Sequence, residues 1–312
     1  MLCCKGYVDI SIFIKKLANM THMIKSVFVT ILAYHLALAP VLAQSGKVYD
    51  NLSMTSKILK SERKFAIYLP PDYESSERSY PVLYLLHGAG DDQTGWVQFG
   101  EVLRITDQAI ADGTATPMII VMPDANTGQR GYFNSPDGKW RYEDFFFEEL
   151  MPHVEKTYRI KSQKKYRAVA GLSMGGGGSF MYALHHPELF SSACPLSAYV
   201  GPLSLEQAKE QYERVFEKSD YKEEDIKKHY YEHNALSLIE NIKDENKKAV
   251  RWYIDCGDDD FLYEGNSLAH IAMKKKEIPH EYRVREGRHS WTYWRASLPN
   301  VLKFISDAFH QY

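Results

Sequence analysis

Short apolar runs alternate with helical stretches along most of this chain of 312 residues, and that alternation constrains the fold more than any other feature. "KFAIYLPPDY" (64–73), "SYPVLYLLHGAG" (79–90), "TPMIIVMPDA" (116–125), "KYRAVAGL" (165–172), "SSACPLSAYV" (191–200), "AVRWYIDCG" (249–257) and "HEYRVREG" (280–287) read as strands. The second is apolar at nearly every position, as a strand covered on both faces would be. "RYEDFFFEELMPHVEKTY" (141–158), "GSFMYALHHPELF" (178–190), "GNSLAHIAMKKKEI" (265–278) and "SLPNVLKFISDAF" (297–309) read as helical. The first of these carries acidic residues early and a lysine late, as the helix dipole favours. Strands separated by helices require crossover connections, so the fold class is α/β: a mostly parallel sheet with helices on both faces.

Residues 201–248 interrupt this alternation with a charge-dense stretch, read as a small helical insertion after the sixth strand, over the C-terminal edge of the sheet. Ser204 with Gln207 resembles a helix-start capping box there. A lid and a solvated crossover are both open roles for it. At the other end, "MIKSVFVTILAYHLALAPVLAQS" from Met23 has a lysine, an apolar stretch and a small-residue exit. That is the order of a secretory signal, with cleavage expected after Ala43 and translation starting at Met20 or Met23. The alternative is a membrane anchor. Residues 1–43 are thus set aside as extension and signal, and 44–312 form one domain that is exported, to a periplasm or beyond the cell, with no stable membrane insertion.

Only Cys194 and Cys256 remain in that domain, both in apolar strand-like runs that suit buried thiols better than a bridge. No Cys or His pair has zinc-ligand spacing, so no metal and no cofactor are expected. The formal charge of −2 argues against a nucleic-acid partner.

The chemistry centres on Gly171-Leu172-Ser173-Met174-Gly175, where an apolar strand runs into a serine and a helix leaves it. Glycine is unfavourable inside strands and helices, so the run continuing through Gly178 serves a backbone need. A G-x-S-x-G between strand and helix is the signature of a nucleophile elbow, which presents a serine Oγ at the top of a parallel sheet. Such a serine needs a base, and the base an orienting acid, following it in the order Ser, Asp, His. "YIDCGDDDFL" ends a strand in Asp258 to Asp260, and "REGRHSWTYW" ends the next one with His289. The oxyanion donors expected are the backbone N–H groups of Met174, after the nucleophile, and Ala89, in the loop after "LLHG". His87 is read as a brace for that loop.

"LYLLHGAGDDQTGW", "YEDFFFEELMPHVEKTYR", "AGLSMGG", "DCGDDDFL" and "GRHSWTYW" together resemble the esterase family of α/β hydrolases. That family includes feruloyl and acetylxylan esterases (family one carbohydrate esterases), esterase D and the mycolyltransferases. The resemblance runs from about Lys64 to Phe309. It implies an α/β-hydrolase fold, Ser173 as nucleophile, His289 of G-x-H-x-W as base and Asp260 of C-G-x-x-D-F-L as acid. The triple aspartate leaves Asp259 open as the rival acid.

Trp96, Tyr132, Phe133, Trp140, Trp291 and Trp294 fall in segments expected at the C-terminal edge of the sheet, where aromatic faces suit a sugar ring or a phenolic acyl group. Of these, Trp96, Tyr132, Trp140 and Trp291 are the leading candidates for substrate contacts, with core packing as the other reading. The expected activity is ester hydrolysis on a small-molecule or oligosaccharide ester, feruloyl or acetyl groups of plant polysaccharide. A siderophore trilactone esterase and an acyltransferase are the alternatives.

Overall fold

The computed structural model describes Met20 and residues 45–125, 131–215 and 222–310. The signal sequence and cleavage after Ala43 therefore lie outside the described residues. An eight-stranded sheet organises the rest: β1 (Lys47–Ser56), β2 (Ser61–Leu69), β3 (Val82–Leu86), β4 (Ile119–Pro123), β5 (Arg167–Leu172), β6 (Ser192–Leu196), β7 (Arg251–Gly257) and β8 (His280–Arg285). Their spatial order is β1-β2-β4-β3-β5-β6-β7-β8. From β4 onward in that order every pairing is parallel, while β1 and β2 form an antiparallel edge.

Strand periodicity divides the core into two layers. Val82, Tyr84 and Leu86 of β3 join one cluster, Leu83 and Leu85 the other, and all five are buried. A strand read as apolar throughout is one whose alternate side chains both meet helices. On the first face lie α3 (Tyr142–Phe145), a π-helical turn (Phe146–Leu150), α4 (Met151–Thr157) and the buried α5 (Met174–His185). The second face is covered by α2 (Val102–Ala111) and α10 (Trp291–His310), through residues such as Ile105, Leu298, Val301 and Ile305. A four-residue helix, α1 (Gly95–Gln98), precedes α2.

Two departures from the sequence reading have local causes. The expected continuous helix over 141–158 is split by the π turn just before Pro152, which has no N–H to return to the ladder. β1, not recognised as a strand, is a largely exposed edge element with a pairing irregularity between Tyr49 and Leu52, so its sequence lacks a clear apolar period.

The segment after β6 folds into α6 (Leu205–Val215), α7 (Glu223–His233) and α8 (Ala235–Glu240), and α9 (Tyr263–Lys275) follows β7. At the start of α6 the Gln207 N–H donates to Ser204 Oγ at 3.1 Å, as a cap does. Histidines fasten these helices to the body. On α7, His229 accepts from the Tyr212 hydroxyl of α6 and donates from Nε2 to the Asn134 carbonyl at 2.9 Å. His233 stacks on His229 at 4.0 Å. On α5, His185 donates to Glu143 of α3 at 2.6 Å and to the Glu232 carbonyl of α7 at 2.6 Å. Burial pushes His229 down to about 4 and His233 down to about 3. Burial also opposes charge on His185, but its bond to Glu143 outweighs that and raises it.

Cys194 and Cys256 are free and buried, and burial pushes the Cys256 thiol up to about 12. Among the described residues, no helix is long and apolar enough to cross a membrane.

Candidate active site

Ser173 stands between β5 and α5 with φ 54° and ψ −114°, a conformation that costs a non-glycine residue about 1–3 kcal/mol. Its backbone is fully used in holding that turn. The N–H donates to the Leu196 carbonyl at 2.9 Å, and the carbonyl accepts from Gly177 and Tyr199 at 3.0 and 2.9 Å. The flanking glycines make the turn physically possible. A Cβ on Gly171 would lie 2.5 Å from the Gly175 oxygen, and one on Gly175 would lie 2.6 Å from the oxygens of Leu86 and His87. The elbow and the end of β3 thus touch backbone to backbone.

His289 and Asp260 reach Ser173 from the loops after β8 and β7. His289 Nε2 lies 3.0 Å from Ser173 Oγ, and its Nδ1 lies 2.9 Å from each Asp260 carboxylate oxygen. Asp260 is fully buried. Burial pushes its pKa up, but hydrogen bonds from His289, the Leu262 N–H and the Ser197 hydroxyl together hold it below the usual carboxylate range. With Asp260 ionised, Nδ1 carries the proton and Nε2 faces the serine as an acceptor.

The three consecutive aspartates have separate environments. Asp258 Oδ1 accepts from the Gly287 N–H at 2.9 Å, tying the β7 loop to the β8 loop. Asp259 is exposed, with Arg288 3.8 Å away, while its N–H donates to the Gly287 carbonyl. Asp260 alone among them bonds the imidazole.

Met174 opens α5, where helix geometry leaves the N–H without an intrahelical acceptor. Ala89 follows Gly88, where a Cβ would sit 3.5 Å from Ser173 Cβ, so the β3 loop abuts the elbow. His87 is buried, and burial lowers its pKa, keeping it neutral. It donates from Nδ1 to the Gly88 carbonyl at 2.7 Å and accepts at Nε2 from the Ala125 N–H at 2.9 Å.

The aromatic candidates divide. Trp96 and Tyr132, read as substrate contacts, are 0% and 1% exposed and present no face to a ligand. Trp96 instead donates to the Leu86 carbonyl at 3.0 Å. The Tyr132 hydroxyl accepts from the His87 N–H at 2.8 Å and donates to its carbonyl at 3.2 Å. Both rings anchor the end of β3, a packing role that apolar aromatic sequence cannot distinguish from display. Trp140 is half-buried, stacked on Tyr142 and donating to the Gly131 carbonyl at 3.1 Å. Trp291 is half-buried against Trp96 and Trp294, and Phe133 packs on His229. Trp294 is buried, edge-on to His289 at 4.9 Å, and donates to Ser197 Oγ at 3.0 Å.

Two residues beside Ser173, His289 and Asp260 went unread in the sequence. Ser197, buried with φ 43°, connects Trp294 to Asp260. Phe261 places its ring 4.4 Å from the imidazole of His289 and is 71% exposed. Its neighbourhood to the acid, in "DDDFL", was the available signal.

Residues 56–305 match the family described as "Putative esterase". The chain is 31% identical over 250 residues to an endo-1,4-beta-xylanase/feruloyl esterase of Xylanibacter ruminicola, covering 77% of this chain and 28% of that protein. It is 22% identical over 272 residues to an acetyl esterase of Caldicellulosiruptor saccharolyticus, covering 82% of this chain and 97% of that protein. A solved ferulic acid esterase superposes with a TM-score of 0.75 at 34% identity, over 85% of this chain and 99% of that one. The match over 56–305, together with the parallel sheet and its strand–elbow–helix unit, makes this chain a member of the esterase family with an α/β-hydrolase fold.

Proposed function

We propose that this chain is a serine carboxylic-ester hydrolase acting on carbohydrate-linked esters, feruloyl or acetyl groups of plant polysaccharide. The observation that carries the reading is His289 Nε2 at 3.0 Å from Ser173 Oγ, with Asp260 bonded behind Nδ1. Nε2 takes the hydroxyl proton as Oγ attacks the ester carbonyl, and the carbonyl π pair moves to oxygen. The N–H groups of Met174 and Ala89 receive that oxyanion. Losing one such donor in an acyl-transfer enzyme costs about 3 kcal/mol of transition-state stabilisation. As the C–O bond to the alcohol breaks, the imidazolium returns its proton to the leaving oxygen. Water, deprotonated by the same nitrogen, then attacks the acyl-serine and releases the acid and Ser173. Asp260 stays ionised throughout, stabilising the imidazolium and fixing its tautomer.

The substrate class is supported by the relatives described as feruloyl and acetyl esterases. The reading includes one catalytic domain over 44–312 with the insertion at 201–248, and export after cleavage at Ala43, which sequencing the mature N-terminus tests. For the activity, the enzyme and its Ser173→Ala variant are assayed on methyl ferulate, acetylated xylan and a catecholate trilactone. Release of ferulate or acetate by the wild type alone is expected. Turnover of the trilactone alone moves the reading to a siderophore esterase, and turnover of none overturns it.

A further inference from the structure

We propose that the cavity between Phe261 and α6 is the subsite for the leaving alcohol, and that it takes a single sugar ring. The inference rests on the ester-hydrolase reading above and adds where selectivity lies: in the alcohol, beside the base. Nε2 of His289 must hand its proton to the leaving oxygen, so the group carrying that oxygen lies against this imidazole. Phe261 sets an exposed ring 4.4 Å from that imidazole. At 71% exposure it is the most exposed large hydrophobic side chain among the described residues.

Phe261 also forms one wall of a cavity of about 250 Å³, with Tyr199, Leu203, Gln207, Gln211 and Arg214 around it. Tyr199 ties this wall to the backbone of the elbow, its N–H donating to the Ser173 carbonyl at 2.9 Å. Its hydroxyl donates to Gln211 Oε1 at 2.7 Å, which leaves the Gln211 Nε2 donors for a ligand. The volume falls below the ~300 Å³ at which pockets for drug-sized ligands begin, so it suits one ring and not a length of chain.

The chemistry of the walls selects among rings. A phenyl plate meets a C–H face, while the Gln207 and Gln211 amides and the Arg214 guanidinium bring N–H donors to the same cavity. A pyranose or furanose has that composition: an apolar face bordered by hydroxyls. A hydrocarbon or aryl alcohol would cover the half-buried Gln211 amide without pairing it.

The test compares ferulate esters of two alcohols, methanol and arabinose, with p-nitrophenyl acetate as an activity check. For the wild type, kcat/KM is expected to be at least tenfold higher on feruloyl-arabinose than on methyl ferulate. Phe261→Ala and Gln211→Ala should each lower that ratio about tenfold, mainly through KM of the sugar ester. Thermal unfolding of each variant confirms that it is folded. Turnover without a sugar preference in the wild type, or equal losses on both ferulate esters in the variants, overturns the subsite alone. No turnover on any of the three substrates overturns the ester-hydrolase reading and the subsite with it.

Discussion

Asp260 meets Nδ1 of His289 with both carboxylate oxygens at 2.9 Å, while Asp259, one position earlier, turns out to solvent near Arg288. A one-residue step in a loop therefore separates a buried, multiply bonded acid from a solvated surface charge. Asp258, a further step back, ties the two loops together.

Asp260→Asn should lower kcat by about 10⁴-fold, because an amide there favours the wrong imidazole tautomer. Asp259→Asn should leave kcat/KM within about twofold, as expected for a screened surface charge. Steady-state kinetics on one ester decides between them, and a larger loss at 259 would reverse the assignment.

Ser173 holds a positive φ that glycine adopts freely. Ser173→Gly should eliminate turnover and raise stability by about 1 kcal/mol, the strain of about 1–3 kcal/mol being offset in part by the entropy of a freer unfolded chain. Ser173→Ala should eliminate turnover without that gain. Denaturant midpoints of the two variants read the difference.

Tyr132→Phe removes the hydroxyl that bonds both the N–H and the carbonyl of His87. The expected result is a fall in kcat of about tenfold with KM nearly unchanged, because on the proposed reading the loop it steadies carries the oxyanion donor of Ala89 and makes no ground-state contact. A change in KM alone would assign Tyr132 to substrate contact.

The buried histidines make the docking of α7 depend on pH. His229 and His233 titrate near 4 and 3 when folded, against about 6.5 for an unperturbed histidine. As pH falls below about 6.5 the unfolded chain takes up these protons first, so stability drops by up to about 1.4 kcal/mol per pH unit for each. The contribution is complete above that value and lost as pH falls through the folded pKa values. His185, raised by Glu143, works in the opposite sense, and Tyr212 and His186 border the same cluster. Protection factors for amide hydrogen exchange over α7, corrected for the intrinsic rate at each pH, are therefore expected to fall between about pH 6.5 and pH 4, before those of β3 and β5.

Much of the sheet is legible because five of its strands, β3 to β7, are nearly continuous apolar runs, and the elbow because glycine clustering there has no other economy. β1 escapes the same reading: an edge strand needs only one covered face, and a bulge disrupts even that period. The order Ser173, Asp260, His289 follows from strand ends, but the choice between Asp259 and Asp260 needs the direction of each side chain, which a triple repeat conceals. Trp96 and Tyr132 show the same limit from another side. An aromatic near a strand end is either displayed or enclosed, and only the packing around Leu86 and His87 decides which.

The tie between Asp258 and Gly287 has a consequence for how such a protein can diversify. The loops carrying the Asp260 carboxylate and the His289 imidazole are stitched to each other and rooted on adjacent strands, so the two side chains are positioned as one unit. On the proposed reading, α6 to α8 supply neither of these side chains, so sequence changes there would alter how the alcohol is held and leave the proton relay in place.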